Sequence, residues 1–219
     1  YQGMDIEILT PKEAKDLYPF LETHDLVGAL YDPNDGDIDP AQLTQALAKG
    51  ARDLGAKILR FTPAIGVTQK KDKTWTVHTE KGDIDCEYVV NAAGYYAQQV
   101  GDWFKPFGGR TVPMMVMSHQ YLLSEEIPEI EQYTKTSGKK LPLLRDVDVS
   151  YYLRQEKNGF NLGPYEPNCK AHWATEDDPM PDDFSFQLWN DDLDRIEDIV
   201  SDAMERVPLL GTSGVSRVI

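Results

Sequence analysis

The run Ile84 to Gly94, IDCEYVVNAAG, constrains the fold more than any other stretch of the chain. It begins by alternating polar and apolar residues and ends on consecutive apolar ones. That is the pattern of a strand entering a sheet covered on both faces, so parallel pairing is expected there. The Asn-Ala-Ala-Gly turn that follows carries only small side chains, which lets something approach the backbone closely. A neighbouring helix and a bound ligand both meet that requirement, and these residues alone do not choose between them.

The elements before this run set its context. Asp39 and Pro40 end a stretch dense in turn formers and fit the N-cap and first position of a helix. Within AQLTQALAKGARDLGAKI, residues Leu43, Ala46, Leu47, Ala51 and Leu54 fall on one helical face, and Gly55 stands where a left-handed C-cap is wanted. A strand, KILRF, is expected directly afterwards. TWTVHT then alternates Trp75 and Val77 with Thr74, Thr76 and His78 between the polar turns KKDK and EKGD, which predicts an antiparallel meander. Further upstream, Thr10 and Pro11 open a short helix that stops at Tyr18-Pro19 and is expected to pack on the surface. Helix, strand, meander and buried strand in this order make a layered α/β arrangement with an antiparallel insertion.

From Lys105 the character changes. RTVPMMVMSHQYLL, VSYYLRQE and GFNLGPYE read as strands separated by Gly, Pro and charged turns, a second and largely antiparallel subdomain. Residues 176 to 205 hold twelve Asp or Glu against one Arg, but Leu193, Ile196, Val200, Ala203 and Val207 recur at three and four. An amphipathic helix with an acidic outer face is expected there, ended by Pro208.

Lys and Arg total 22 against 37 Asp and Glu, a formal net charge of -15, and such a surface repels phosphate backbones and anionic headgroups. Nucleic acid and membranes are therefore poor partners. Cys86 and Cys169 form no CxxC pair and no Cys/His cluster, so two reduced thiols are expected and no metal site is signalled. No apolar run approaches the roughly 20 residues of a membrane span, and no secretory leader opens the chain. The expected compartment is the cytoplasm, or the mitochondrial matrix in a eukaryote. The opening YQGM reads as a tag remnant over Tyr1 to Gly3, with natural sequence from about Met4.

Neither a GxSxG elbow nor a GxxxxGK[ST] loop occurs, and the carboxylate pairs Asp177-Asp178 and Asp182-Asp183 are better read as a solvated face. His119 stands out because it sits in an apolar strand ahead of Gln120 and Tyr121. On this information alone a satisfied core histidine is the favoured reading, ahead of a site histidine. Alternation places Tyr152 and Arg154 on one strand face and Tyr151 on the other. A phenol and a guanidinium aimed together suit a carboxylate, although a cross-strand aromatic beside a surface Arg gives the same pattern.

These signals occur in one order: DGDIDPAQLTQALAKGARDLGAKI, VVNAAGYYAQQVGDW, VPMMVMSHQYLLSEEIPEI, LPLLRDVDVSYYLRQE and FNLGPYEPN. That order resembles the dimethylglycine and sarcosine dehydrogenase family of D-amino acid oxidase-like flavoproteins, from about Ile8 to Ile219. The resemblance implies an α/β (α+β) protein, part of a doubly wound FAD-binding domain with a β-meander insertion plus an antiparallel-sheet substrate domain. By that likeness residues 4–35 are a connecting segment, 36–104 the partial FAD domain, 105–185 the substrate domain, and 186–219 a helix returning to the FAD domain.

The resemblance further implies FAD contacts at Ala64, Ile65 and Val67 and at Asn91, Ala92, Ala93, Gly94 and Tyr96. It implies catalytic roles for His119 and Tyr152, with Tyr151, Arg154 and Tyr121 around the substrate. The register of Tyr151 against Tyr152 stays open. The implied reaction is oxidative N-demethylation of a small N-methyl amino acid, with folate or an electron-transfer protein as a further partner. Two departures accompany it. The family's GxGxxG loop has no counterpart in this sequence, and the chain stops at SGVSRVI, ahead of the family's Asn-Gly-Pro region. The reading is then of an internal fragment that retains little or no FAD, because the helix N-terminus that holds the diphosphate is absent. The rival reading is a non-catalytic interaction module that keeps the fold without flavin.

Overall fold

The computed structural model describes residues 3, 5–175, 177–185 and 187–219. Tyr1, Gln2 and Met4 of the opening segment, Glu176 of the acidic run and Phe186, where the returning segment is expected to begin, lie outside the described residues. In chain order the elements are β1 (Glu7–Leu9), α1 (Pro11–Leu17), β2 (Ala29–Tyr31), α2 (Pro40–Asp53), β3 (Ala64–Gln69), β4 (Trp75–Thr79), β5 (Ile84–Cys86) and α3 (Ala97–Asp102). They continue with β6 (Val116–Ser118), β7 (Leu122–Ser124), α4 (Pro128–Ser137), β8 (Leu144–Asp146), β9 (Tyr151–Glu156), β10 (Gly159–Pro164), β11 (Lys170–His172), α5 (Glu197–Arg206) and β12 (Val215–Val218). The chain divides into two units, one of Tyr1–Asp37, Met117–Lys170 and Pro181–Ile219, the other of Ile38–Val116 and Ala171–Met180.

The first unit is built on a five-stranded sheet in the order β12-β7-β10-β9-β8, every neighbouring pair antiparallel. Strand β9 alternates strictly: Tyr151, Leu153 and Gln155 are buried, while Tyr152, Arg154 and Glu156 are partly exposed. Leu153 of β9, Phe160 and Leu162 of β10 and Leu122 of β7 turn to the buried side. Ala14 of α1 with the following Tyr18 and Leu21, Ile130 of α4, and Ile199 and Ala203 of α5 with the flanking Ile196 and Val207 complete that core. Burying one such aliphatic side chain contributes about 1.5–3 kcal/mol.

Helix α1 departs from the surface role expected of it. Its start at Thr10 and Pro11 is as the sequence indicates, and the structure adds a capping box in which the Thr10 hydroxyl accepts from the Glu13 amide at 3.3 Å and Glu13 accepts from the Thr10 amide at 2.8 Å. Ala14 and Tyr18 nevertheless lie in the core, and Leu21 beyond the helix joins them. The end of the segment is held by Arg206 of α5, whose guanidinium forks onto Asp25 at 2.5 and 3.0 Å and donates to the Glu22 carbonyl at 2.8 Å. Asp146 of β8 takes the same guanidinium at 3.3 Å.

Helix α4 is not anticipated by the strand reading of this region. Pro128 at its first turn, Glu129 and Glu131 near its start, Lys135 in its last turn and Gly138 at φ +69° just past it are standard boundary signals. The amphipathic helix ahead of Pro208 is present as a short 3-10 turn, Leu193–Arg195, followed by α5.

The second unit holds α2 and the antiparallel meander β3-β4-β5. Asp39 caps α2 through the Gln42 amide at 2.7 Å, and Gly55 takes φ +92° beyond its end. Trp75 of β4 meets Phe104 edge-on at 5.0 Å and Phe107 at 5.5 Å, which anchors the meander to the segment after α3. Two expectations fail here. Lys57 to Phe61 form no strand, and the β-structure of IDCEYVVNAAG ends at Cys86, leaving Val90 85% exposed. A strand exists by pairing its backbone groups, and among the described residues no parallel neighbour is present for either segment. The apolar stripe of α2 is likewise uncovered, with Leu47 66% exposed. The ribbon of β6 and β11 carries the chain from one unit into the other.

Two outcomes test this core. Burial holds the Tyr18 and Tyr151 hydroxyls protonated well above the usual tyrosine range, and among the described residues neither hydroxyl has a hydrogen-bond partner. Because their folded values are raised, the associated stability is fully present below about pH 10, the ordinary tyrosine value, and is lost as pH rises through the folded values. Tyrosinate absorbance should show these two phenols ionising only with unfolding, and full ionisation in the folded state would contradict the assignment. Gly163 lies opposite Tyr152, and a Cβ there would come within 2.1 Å of the tyrosine ring. Gly163→Ala should cost about 1–3 kcal/mol in urea unfolding, with part recovered when Tyr152→Ala is added.

Candidate functional site

The face of the five-stranded sheet turned away from the core carries the polar chemistry of the first unit. Register aligns Arg145 of β8, Tyr152 of β9 and Gly163 of β10 in one row, and Arg154, Asn161, Leu123 and Arg217 in the next. Gly163 has no side chain, so the Tyr152 ring lies across it, with the Tyr165 ring 5.9 Å away at 59°. Burial pushes the Tyr152 phenol up; Arg154 and Arg145 oppose that shift, while Tyr165 and Tyr121 add to it. The rows therefore bring Tyr152 and Tyr121 within electrostatic range of one another.

Tyr151 belongs elsewhere. It is 1% exposed on the core side of β9, so it presents no surface to a ligand, and the open register resolves in favour of Tyr152. Arg154 does share the Tyr152 face, but its guanidinium is engaged by Glu156 at 3.2 Å and Asp37 at 3.7 Å. Beside it, the amide oxygen of the buried Asn161 and the Nε of Arg154 lack partners among the described residues. Arg145, which the sequence reading passed over, stands directly across from Tyr152. Its signal was its spacing, since β8 precedes a turn into the β9 strand.

His119 follows β6, and the period-two pattern persists around it: Ser118 and Gln120 are buried while His119 is exposed. Its Nδ1 lies 3.1 Å from Oε2 of Glu166, whose side chain is fully buried. The other carboxylate oxygen of Glu166 is 3.3 Å from a terminal nitrogen of Arg195, an ion pair without aligned hydrogen-bond geometry. Arg195 in turn donates to the Ser118 hydroxyl at 3.3 Å. The core-histidine alternative is thereby removed. Glu166 and Arg195 were invisible as site residues in sequence because 47 and 76 positions separate them from His119.

In the second unit, the Asn91 side chain accepts from the Ala93 amide at 3.3 Å and donates to the Ala97 carbonyl at 2.8 Å, shaping the Ala92-Ala93-Gly94 turn. Gly94 takes φ +58°, and no heavy atom outside its chain neighbours lies within 4 Å of the Cβ position. Its glycine serves conformation and an open approach, not packing against a helix. Tyr96 is half-buried, Val67 is half-buried in β3, and Ala64 and Ile65 are exposed. The turn and the exposed start of β3 leave main-chain atoms open to a ligand. Among the described residues no group of three or more His, Cys, Asp or Glu could hold a metal ion, and no helix is long and apolar enough to cross a membrane.

Comparison with known proteins places the chain in a family. The FAD dependent oxidoreductase family model matches residues 1–218. Mitochondrial dimethylglycine dehydrogenase of Mus musculus is 38% identical over 216 residues, 97% of this chain and 24% of that protein. Mitochondrial sarcosine dehydrogenase of Homo sapiens is 32% identical over 227 residues, covering 99% of this chain and 22% of its own length. The chain thus spans about a quarter of the length of the curated relatives it matches. Among solved structures, L-proline dehydrogenase from P. horikoshii superposes with a TM-score of 0.74 at 23% identity, over 99% of this chain and 52% of the other. That likeness establishes a shared mixed α/β fold. With a family model matched from end to end, the chain belongs to the FAD-dependent oxidoreductase family.

Proposed function

We propose that this chain is part of an FAD-dependent enzyme that oxidises a small N-methyl amino acid, dimethylglycine or sarcosine, by oxidative N-demethylation. The observation that carries the reading is 38% identity with dimethylglycine dehydrogenase over 97% of the chain. In this reading FAD is held through the main chain of Ala64, Ile65 and Val67 and by the Asn91 to Gly94 turn, with Tyr96 beside it. When bound, FAD supplies the two-electron sink that the reaction requires. The glycine-rich phosphate loop has no counterpart in these 219 residues, so by itself the chain is proposed to retain little or no flavin.

The protein's own groups handle charge. An N-methyl amine in its ammonium form cannot release hydride from carbon, so the substrate nitrogen must first lose a proton. Nε2 of His119 is the group proposed to accept it, since Nδ1 is already turned to Glu166. The Tyr152 hydroxyl is assigned to a carboxylate oxygen of the substrate, with Tyr121 lining the same surface. Loss of hydride from the N-methyl carbon leaves an iminium, which water converts to formaldehyde and the demethylated amine. Folate or an electron-transfer protein is the proposed downstream partner, and the mitochondrial matrix the proposed compartment in a eukaryote; the relatives' names, which read mitochondrial, support the organelle alone.

The test uses an FAD-loaded protein that carries this chain. Mixed anaerobically with dimethylglycine or sarcosine, it should lose its oxidised-flavin absorbance. His119→Ala should slow that loss by about 10²–10⁴-fold with flavin content unchanged. A flavin-loaded protein that neither substrate reduces would reject the reading.

A further inference from the structure

The polar network around His119 has more parts than a histidine needs merely to be accommodated. Glu166 is a carboxylate with a fully buried side chain, and one of its oxygens meets Nδ1 of His119 at 3.1 Å. Arg195, itself 11% exposed in its side chain, neutralises that buried charge at 3.3 Å, which is the condition for keeping a carboxylate out of water. The turn that carries Arg195 also grips the side chains of the residues on both sides of His119. Arg195 donates to the hydroxyl of Ser118, one residue before it. The Asp192 amide donates to Gln120 Oε1 at 3.0 Å, one residue after it, and the Gln120 amide nitrogen donates back to the Asp192 carbonyl. Lys170 pairs with the Asp192 carboxylate and fixes the turn from a further side. One turn, 192–195, therefore engages both the side chains that flank the histidine and the carboxylate that meets its ring.

A carboxylate only accepts hydrogen bonds, so the ring nitrogen facing Glu166 must carry the proton. The neutral ring is then protonated at Nδ1, and its lone pair sits at Nε2, on a side chain that is 48% exposed. We infer that Glu166, clamped by Arg195 and the 192–195 turn, is a positioning residue that holds His119 as the Nδ1–H tautomer and leaves Nε2 as the acceptor. The use made of that acceptor rests on the amine-oxidation reading, but the tautomer itself does not.

The experiment is a long-range proton–nitrogen correlation spectrum of the ¹⁵N-labelled 219-residue chain, without flavin or substrate, at a pH where the imidazoles are neutral. His119 is assigned by its loss in His119→Gln. The expected spectrum shows a protonated Nδ1 and an unprotonated Nε2 for His119. Glu166→Leu, which keeps bulk but removes the acceptor, should reverse the ratio toward the Nε2–H form. A wild-type ring protonated at Nε2 overturns the inference whether or not that variant folds. So does an unchanged Nδ1–H ring in a folded Glu166→Leu chain. Because no turnover is measured, failure of the tautomer and failure of the amine-oxidation reading are separate results.

Discussion

The side-chain alternation along β9 is the constraint on which the first unit depends. One set, Tyr151, Leu153 and Gln155, faces the helices; the other, Tyr152, Arg154 and Glu156, faces away from them. A slip of one residue exchanges the two sets, so register is enforced by the whole core at once. Gln155 sharpens this further. It is a buried amide that satisfies the Leu141 amide at 2.9 Å, the Thr134 hydroxyl at 2.9 Å and the Lys157 carbonyl at 2.8 Å. A shifted strand would leave all of those partners unpaired, at a cost of about 1–3 kcal/mol for each buried group. The apolar packing and the polar network thus select the same register, and that register delivers Tyr152 to the site face.

Charge is managed differently on the two sides of the sheet. On the core side, Arg206 gathers Asp25, Asp146 and the Glu22 carbonyl, joining the segment after α1, the end of β8 and α5 at one guanidinium. Its planar fork suits several oxygens at fixed angles, which a lysine could not match. On the other face, Arg154 is neutralised by neighbouring carboxylates, whereas Arg195, in the turn before α5, meets the Ser118 hydroxyl and the buried glutamate that reaches a histidine. The first arrangement is architectural, and the second prepares one nitrogen of one ring.

What could be read in advance followed from local rules. The cap at Asp39, the left-handed Gly55 and the helix start at Thr10 and Pro11 depend on neighbours a few residues away, and each appears as the residues indicate. The ordered strands from Met117 to Pro164 pointed to the antiparallel sheet, and the family resemblance is matched along the chain. Helix α4 was passed over although Pro128 and Gly138 mark its ends, because the surrounding strand pattern dominated the reading. The predicted strands at KILRF and at Val89-Val90 failed for another reason: apolar runs indicate that a face can be covered, but they carry no information about whether a partner strand is present.

For the site, the sequence by itself determined the residue types and the face. Period-two alternation is a property of any extended chain, so it placed Tyr152 with Arg154 and apart from Tyr151 before any contact was known. Only the tertiary structure decided which of these groups remain available. It buried Tyr151, tied Arg154 to Asp37 and Glu156, set Arg145 across from Tyr152, and brought Glu166 and Arg195 to His119. The physical reason is that availability depends on desolvation and pairing, which are sums over neighbours in space, whereas sequence pattern specifies only neighbours along the chain.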